Sequence, residues 1–270
     1  MTRIALVVSD VDGTLLTKDK ILTEKTAHAV QQLEDSGVGF TIVSSRPTIG
    51  MRFLVEPLRI TLPVGSFNGS SISDPQMNPI EQHLIPASVA QRSIDVLNEF
   101  GVDIWLFTHD KWLVRNADAE YNPFEKRTIK TDPVVVDDFA PYLSAACKIV
   151  GSSSDAALLQ RCEAAMQNTV GTQATAARSQ SYYLDITPPG YDKGTFVQAM
   201  AKRLGISTDA VATVGDMHND LAMFRKSGLS IAMGNATDDI KRQATHVTTS
   251  NQDEGFAGAM DIVMKNNEGK

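Results

Sequence analysis

Two carboxylates stand at i and i+2 in Asp10-Val11-Asp12-Gly13-Thr14, one serine after the apolar run Ile4-Ala5-Leu6-Val7-Val8. Acids so spaced can share a divalent cation and divide two chemical roles. One attacks as a nucleophile while the other moves protons. Gly13 lets the chain turn tightly, and Thr14 can hydrogen-bond the turn. An Asp-Gly turn is also common punctuation between elements, so this stretch has to be weighed against the rest of the chain.

Three further segments carry polar groups where a strand or helix ends. Ser44-Ser45 follows Thr41-Ile42-Val43. A hydroxyl with backbone N–H groups at a strand's end can hold a phosphate or another oxyanion, or be a plain loop. Lys193 opens an amphipathic helix, beside the positive end of its dipole. That placement is mildly unfavourable unless an anion binds there. Gly215-Asp216-Met217-His218-Asn219-Asp220 ends another apolar strand in an acid. Asp216 is a candidate metal ligand. Asn219 and Asp220 are candidates for helix capping, or for positioning phosphate, Lys193 or metal-bound water. An all-oxygen donor set suits Mg2+ best. His218 stands without a Cys or a second His nearby, which is weak support for Zn2+.

Such groups can converge only if their elements end on one edge, and the apolar patterning supplies those elements. Ile4–Val8 reads as a buried, parallel strand. Apolar positions in Thr23–Ser36 predict a helix stopped by Gly37, followed by strands over Val38–Val43 and Leu62–Val64. The same alternation returns in helix Lys193–Leu204, strand Ala210–Val214, helix Asp220–Ser227 and strand Leu229–Met233. It continues in helix Asp238–Ala244, strand His246–Thr249 and helix Phe256–Met264. The fold class expected is α/β, a doubly wound parallel sheet whose carboxyl edge carries the ligand site.

The middle of the chain has a different grammar. Asp103–Phe107 and Trp112–Arg115 suggest a hairpin, Ala146–Val150 and Ser181–Ile186 further strands, and Ser154–Met166 a helix. We therefore expect a core formed by 1–83 and 189–270, with an inserted α+β module over 84–188. Trp105 and Trp112 suit that module's aromatic core better than a substrate lid. The tail Lys265-Asn266-Asn267-Glu268-Gly269-Lys270 reads as frayed.

A length of 270 residues suggests about two domains, and a net charge of -7 argues against a nucleic-acid or anionic-membrane surface. No run approaches the roughly 20 apolar residues of a membrane span, and the N-terminus does not resemble a signal peptide. Cys147 and Cys162 lack metal or redox spacing and read as free thiols, so the expected location is the reducing cytoplasm. Oligomeric state is not legible.

Taken together, the motifs resemble the haloacid-dehalogenase (HAD) superfamily, specifically the Cof-type branch of small-molecule phosphatases with a large inserted cap. Asp10-Val11-Asp12-Gly13-Thr14 resembles its first motif and Ser44-Ser45-Arg46 its second. Tyr191-Asp192-Lys193-Gly194 resembles the third, and Gly215-Asp216-x-x-Asn219-Asp220 the fourth. Gly234-Asn235-Ala236 and Asn68-Gly69 also look like elements of that branch. The resemblance implies a Rossmann-like core and Mg2+-dependent hydrolysis of small phosphorylated metabolites, sugar phosphates among them. Asp10 would attack phosphorus and form an aspartyl-phosphate. Asp12 would protonate the leaving oxygen and then activate water. The metal would be held by Asp10, by the backbone carbonyl or side chain of Asp12, and by Asp216. Ser44, Lys193 and Asn219 would bind phosphate oxygens with backbone N–H groups of Val11 and Ser45, and Asp220 and Arg46 would support them. Ser45 stands where the family usually has Gly, which would strain the chain if φ were positive there.

Two other readings compete. Dehalogenation on the same fold needs the nucleophile but not a second acid, so Asp12 argues against it. A phospho-accepting or sugar-phosphate-sensing protein would use Asp residues with Mg2+, but receiver domains are typically near half this length and lack an inserted module. Arg46, Lys126, Arg127 and Arg178 are candidates for specificity, with solvated surface charge as the alternative.

Overall fold

The computed structural model describes residues 2–269. It divides into two compact units. The first comprises Met1–Ser45, Arg52–Ile80 and Tyr191–Lys270; the second comprises Arg46–Met51 and Glu81–Gly190.

The first unit is built on an all-parallel sheet. Its strands run in the order His246–Val247, Leu229–Ala232, Val211–Gly215, Leu6–Ser9, Gly39–Ile42. The inner strands are buried throughout, as continuous apolar runs in a doubly covered parallel sheet should be. Leu6–Ser9 lies between Val211–Gly215 and Gly39–Ile42. The chain winds from it to one side through Gly39–Ile42 and to the other through Val211–Gly215. Winding reverses between Leu6–Ser9 and Val211–Gly215, which makes their carboxyl ends the switch point where such sheets bind ligands.

Local sequence fixes the helices that flank this sheet. Glu24–Asp35 starts where the Thr23 side chain accepts from Thr26 N–H at 3.1 Å, and the chain leaves it through Gly37 at φ +83. Lys193–Leu204 starts in a capping box between Asp192 and Thr195. Its apolar face, with Phe196, Val197 and Met200, packs in the core beside Leu6, Val8, Val211 and Met223. The C-terminal helix runs over Gly255–Glu268. The tail residues 265–268 continue this helix rather than fray, and Lys270 lies outside the described residues. Asn267 accepts from Ile4 N–H at 2.8 Å and donates to the Ile4 carbonyl at 2.9 Å, which ties the last turn to the chain's start.

The second unit carries a six-stranded sheet in the order Thr175–Gln180, Tyr183–Thr187, Lys148–Ser152, Asp103–Phe107, Trp112–Val114, Val134–Val135. Its pairs are antiparallel except the last. Helices Ala87–Glu99 and Ala156–Val170 share one core with Ile104, Leu106, Ile149 and Leu184. Trp105 and Trp112 are 1% and 0% exposed and meet edge to face at 5.4 Å, so they are aromatic core. Buried Asn122 accepts from the Trp105 indole N–H at 2.8 Å.

Some boundaries differ from those the sequence suggests. The strand expected at Leu62–Val64 lies at Val64–Ser66, beyond Pro63, which has no N–H to give a ladder. Ser181 and Tyr182 form the turn of a hairpin whose first strand, Thr175–Gln180, is mostly exposed and carries no apolar signature.

Candidate active site

A buried ammonium lies at the centre of the site. Lys193 Nζ donates to Asp10 Oδ1 at 2.5 Å and to Asp220 Oδ1 at 2.6 Å, and its side chain is 2% exposed. Asp10 extends the first strand, with its N–H on the Val214 carbonyl at 2.9 Å. The other oxygen of Asp220 accepts the N–H groups of Asp216 and Met217, each at 2.8 Å. Asp220 thus clamps the loop that carries Asp216 and orients Lys193 at the same time.

Asp216 is held from both sides. Thr14 donates to its Oδ1 at 3.2 Å and Asn235 to its Oδ2 at 3.1 Å. Asn235 also donates to the Gly13 carbonyl at 2.9 Å and accepts from Asn251 N–H at 3.0 Å. The Asn235 amide is therefore fixed in its flip, nitrogen toward the acid. Gly13 passes so close that a Cβ on it would lie 2.3 Å from Asp216 Oδ2.

Carboxylate oxygens of Asp10, Asp216 and Asp220 all lie within 4.8 Å of one another. With Lys193 they make three potential negative charges against one positive charge in a buried pocket. Burial raises the Asp10 carboxyl well above its ordinary range; Lys193 opposes the shift, while Asp220 and Asp216 add to it. Asp216 is pushed up to about 6, again first by burial and then by Asp220. For Lys193, burial disfavours the ammonium, but Asp10 and Asp220 outweigh it and the net shift is upward. Burial and the neighbouring carboxylates thus work against negative charge on Asp10 and Asp216, and the one ammonium offsets this only in part. A hard dication would supply the two missing charges to an oxygen donor set, so these residues fit Mg2+.

Ser44 is buried at the end of its strand, its N–H on the Gly65 carbonyl at 3.0 Å. Val11 is buried and its carbonyl accepts from Leu15 and Leu16. Asn219 is exposed and donates to Asn68 Oδ1 at 3.1 Å. Ser45 has no positive φ, so the replacement of the usual Gly carries no backbone strain. The Asp12 side chain is not in the acid cluster; its Oδ1 pairs with Lys20 at 2.7 Å. Arg46 is buried and donates to the Gly50 and Thr128 carbonyls at 3.0 and 2.6 Å within the second unit. Of the remaining cations, Lys126 pairs with Asp132, Arg178 with Glu163, and Arg127 lies over the Phe124 ring. Cys147 and Cys162 are free and buried. Burial pushes the first thiol up to about 12 and the second up to about 11, which leaves both unreactive.

Sequence reasoning did not find Lys20, nor roles for Asn68, Asn235 and Asn251. Asn68-Gly69 and Gly234-Asn235-Ala236 stood out only by resemblance to the family branch, and the partners of these amides lie up to 222 residues away in sequence.

The family model described as haloacid dehalogenase-like hydrolase matches residues 7–260. The 5-amino-6-(5-phospho-D-ribitylamino)uracil phosphatase YcsE of Bacillus subtilis (strain 168) is 26% identical over 257 residues, covering 95% of this chain and 94% of the relative. The pyridoxal phosphate phosphatase YbhA of Escherichia coli (strain K12) is 25% identical over 262 residues, covering 93% and 96%. A haloacid dehalogenase-like hydrolase from Bacteroides thetaiotaomicron shares the fold, with a TM-score of 0.91 at 24% identity over 97% of this chain and 100% of the other.

Proposed function

The chain belongs to the haloacid dehalogenase-like hydrolase family, and from that premise we propose that it is a phosphatase of small phosphorylated metabolites. The observation that carries this reading is the buried Asp10–Lys193–Asp220 array beside Asp216. It offers a nucleophilic carboxylate, a fixed cation and a donor set suited to Mg2+ in one pocket. We assign catalysis to the core, 1–83 and 189–270, and substrate specificity to the inserted cap, 84–188.

Mg2+ would be held by Asp10 and Asp216, with Asp12 contributing its carbonyl, because its carboxylate is turned to Lys20. Bound there, it would offset the charge that develops on the transferring phosphoryl oxygens. Lys193, Ser44 and Asn219 donate to those oxygens, helped by the N–H groups of Val11 and Ser45. An oxygen of Asp10 attacks phosphorus as the ester P–O bond breaks, and Asp12 gives the leaving oxygen its proton. Asp12 then takes a proton from water as the water oxygen attacks the aspartyl-phosphate. The bond to Asp10 breaks and inorganic phosphate leaves. Asp220 keeps Lys193 aimed at Asp10 throughout. Asp12 argues against dehalogenation, which needs no leaving-group acid, and the retained Asp10 and Lys193 argue against a sensor without turnover.

Among substrates, sugar phosphates are the class to test first. The two relatives named above act on a phosphorylated ribitylaminouracil and on pyridoxal phosphate, so both belong in the same panel. Phosphate release from an aryl phosphate should require Mg2+ and stop in EDTA. Asp10→Asn should lower turnover at least about 10³-fold. Retention of a tenth of wild-type kcat by that variant, or full activity in EDTA, would overturn the assignment.

A further inference from the structure

The turn Phe67-Asn68-Gly69 has no place in the chemistry above, yet its backbone is costly. Phe67, Asn68 and Gly69 have φ of 51, 58 and 93, so two non-glycine residues in succession adopt the left-handed region. Phe67 is also 1% exposed. Such conformations persist where the surroundings over-determine them, and three contacts do so here. Asn68 N–H donates to the Ser44 carbonyl at 2.8 Å. Asn68 Oδ1 accepts from Asn219 Nδ2 at 3.1 Å. A Cβ on Gly69 would lie 2.8 Å from Phe196 Cβ and 3.0 Å from the Asp192 carbonyl, so the turn abuts the helix start that carries Lys193. One turn thus touches the supports of all three side chains assigned to phosphate.

We propose that Asn68 is a positioning residue that pre-sets the anion cradle by fixing the Asn219 carboxamide. The inference rests on the phosphatase reading and goes beyond it. A carboxamide can present either its oxygen or its nitrogen to a ligand, and only the nitrogen suits a phosphate oxygen. Asn219 is exposed, so few other groups restrain its flip. Asn68 Oδ1 takes one of the two hydrogens on Asn219 Nδ2 and leaves the second for the anion. Without that acceptor, the amide can rotate and bring its oxygen toward phosphate, where it repels.

The test is a double-mutant cycle on the full-length protein at saturating Mg2+, with binding of inorganic phosphate read by calorimetry. Asn68→Gly removes the acceptor and keeps the backbone, because glycine adopts φ near 58 freely. It should weaken phosphate about fivefold, the worth of one ordinary hydrogen bond. Asn219→Ala should weaken it about tenfold or more, since that bond reaches a charged ligand. The double variant should bind within about twofold of Asn219→Ala alone, because Asn68 acts only through Asn219. Asn68→Ala should match Asn68→Gly in affinity but melt lower, having a Cβ at positive φ.

Losses that multiply in the double variant, or an Asn68→Gly affinity like wild type, would overturn the proposal while Asn219→Ala still supports the phosphate site. Affinity that follows melting temperature across the Gly and Ala variants would also overturn it, because the role would then be structural. If Asn219→Ala itself binds like wild type, both the proposal and the assignment of Asn219 fall.

Discussion

Proton transfer is the residue-scale question, and Asp12 is the residue that decides it. Its carboxylate lies outside the trio of Asp10, Asp216 and Asp220, though near enough for its charge to act on Asp216, and it is 28% exposed and paired with Lys20 at 2.7 Å. That separation suits a group that meets the leaving oxygen rather than the metal. Asp12→Asn keeps the shape and removes the titratable carboxyl proton. The loss should depend on the leaving group, because an alkoxide needs its proton in the transition state while an acidic phenolate hardly does. At saturating Mg2+, kcat/KM for an alkyl phosphate should fall about 10²–10⁴-fold, and for an aryl phosphate at most about tenfold. Labelled aspartyl-phosphate should accumulate with the aryl substrate, since water activation is also lost. Lys20→Met is the control for the broken ion pair and should not reproduce the leaving-group dependence. Equal losses on both substrates, with no trapped intermediate, would leave Asp12 without a proton-transfer role.

At the scale of elements, the site is the meeting of two strand ends, and the turn after the first strand must fit against the second. Gly13 has φ +80, and its missing Cβ leaves the space that Asp216 occupies. Asp216 cannot swing aside without releasing Thr14 and Asn235. Gly13→Ala should therefore cost about 1–2 kcal/mol in backbone strain and displace one candidate metal ligand. Calorimetric titration should show Mg2+ binding at least about tenfold weaker, equivalent to about 1.4 kcal/mol. Wild-type affinity in that variant would mean that Asp216 is not a ligand. Much of this geometry was legible in the sequence. Each apolar run ending in Asp10, Ser44 or Asp216 marked a carboxyl edge, and parallel strands must place those ends together. Lys193 was legible because a lysine at a helix start needs an anion nearby. Pairing between distant polar groups was not legible. Nothing in a pattern of apolar residues tells Asn219 to find Asn68, or Lys20 to fold back on Asp12. Helix Ala87–Glu99 was missed although Val89, Ala90, Ser93, Ile94, Val96 and Leu97 are its buried face; the serine among them weakens the apolar stripe.

For the whole molecule, the acid cluster couples folding to pH and metal. A chain of net charge -7 buries Asp10, Asp216 and Asp220 together with a single ammonium, and this opposes folding when both protons and metal are absent. The sign follows from the upward shifts. Asp216 titrates near 6 in the fold against an ordinary 3.8, and Asp10 is shifted in the same direction. Between those values the folded state holds more protons than the unfolded state, so stability falls as pH rises. The metal-free protein should therefore melt lower at pH 7 than near pH 5. Other carboxylates titrate in the same window, so the diagnostic quantity is the rise in melting temperature caused by a fixed excess of Mg2+. Protons and metal compete for the same oxygens, so that rise should be large at pH 7 and small near pH 5. Asp216→Asn removes one charge from the cluster and should make the metal-free protein less sensitive to pH, while abolishing most of the response to Mg2+. Differential scanning calorimetry of both proteins in EDTA and in Mg2+ at the two pH values measures each quantity. An equal Mg2+ effect at pH 5 and pH 7, or one that survives Asp216→Asn, would place the metal away from this cluster. The buried charge of Asp10, Asp216 and Asp220 would then need another explanation.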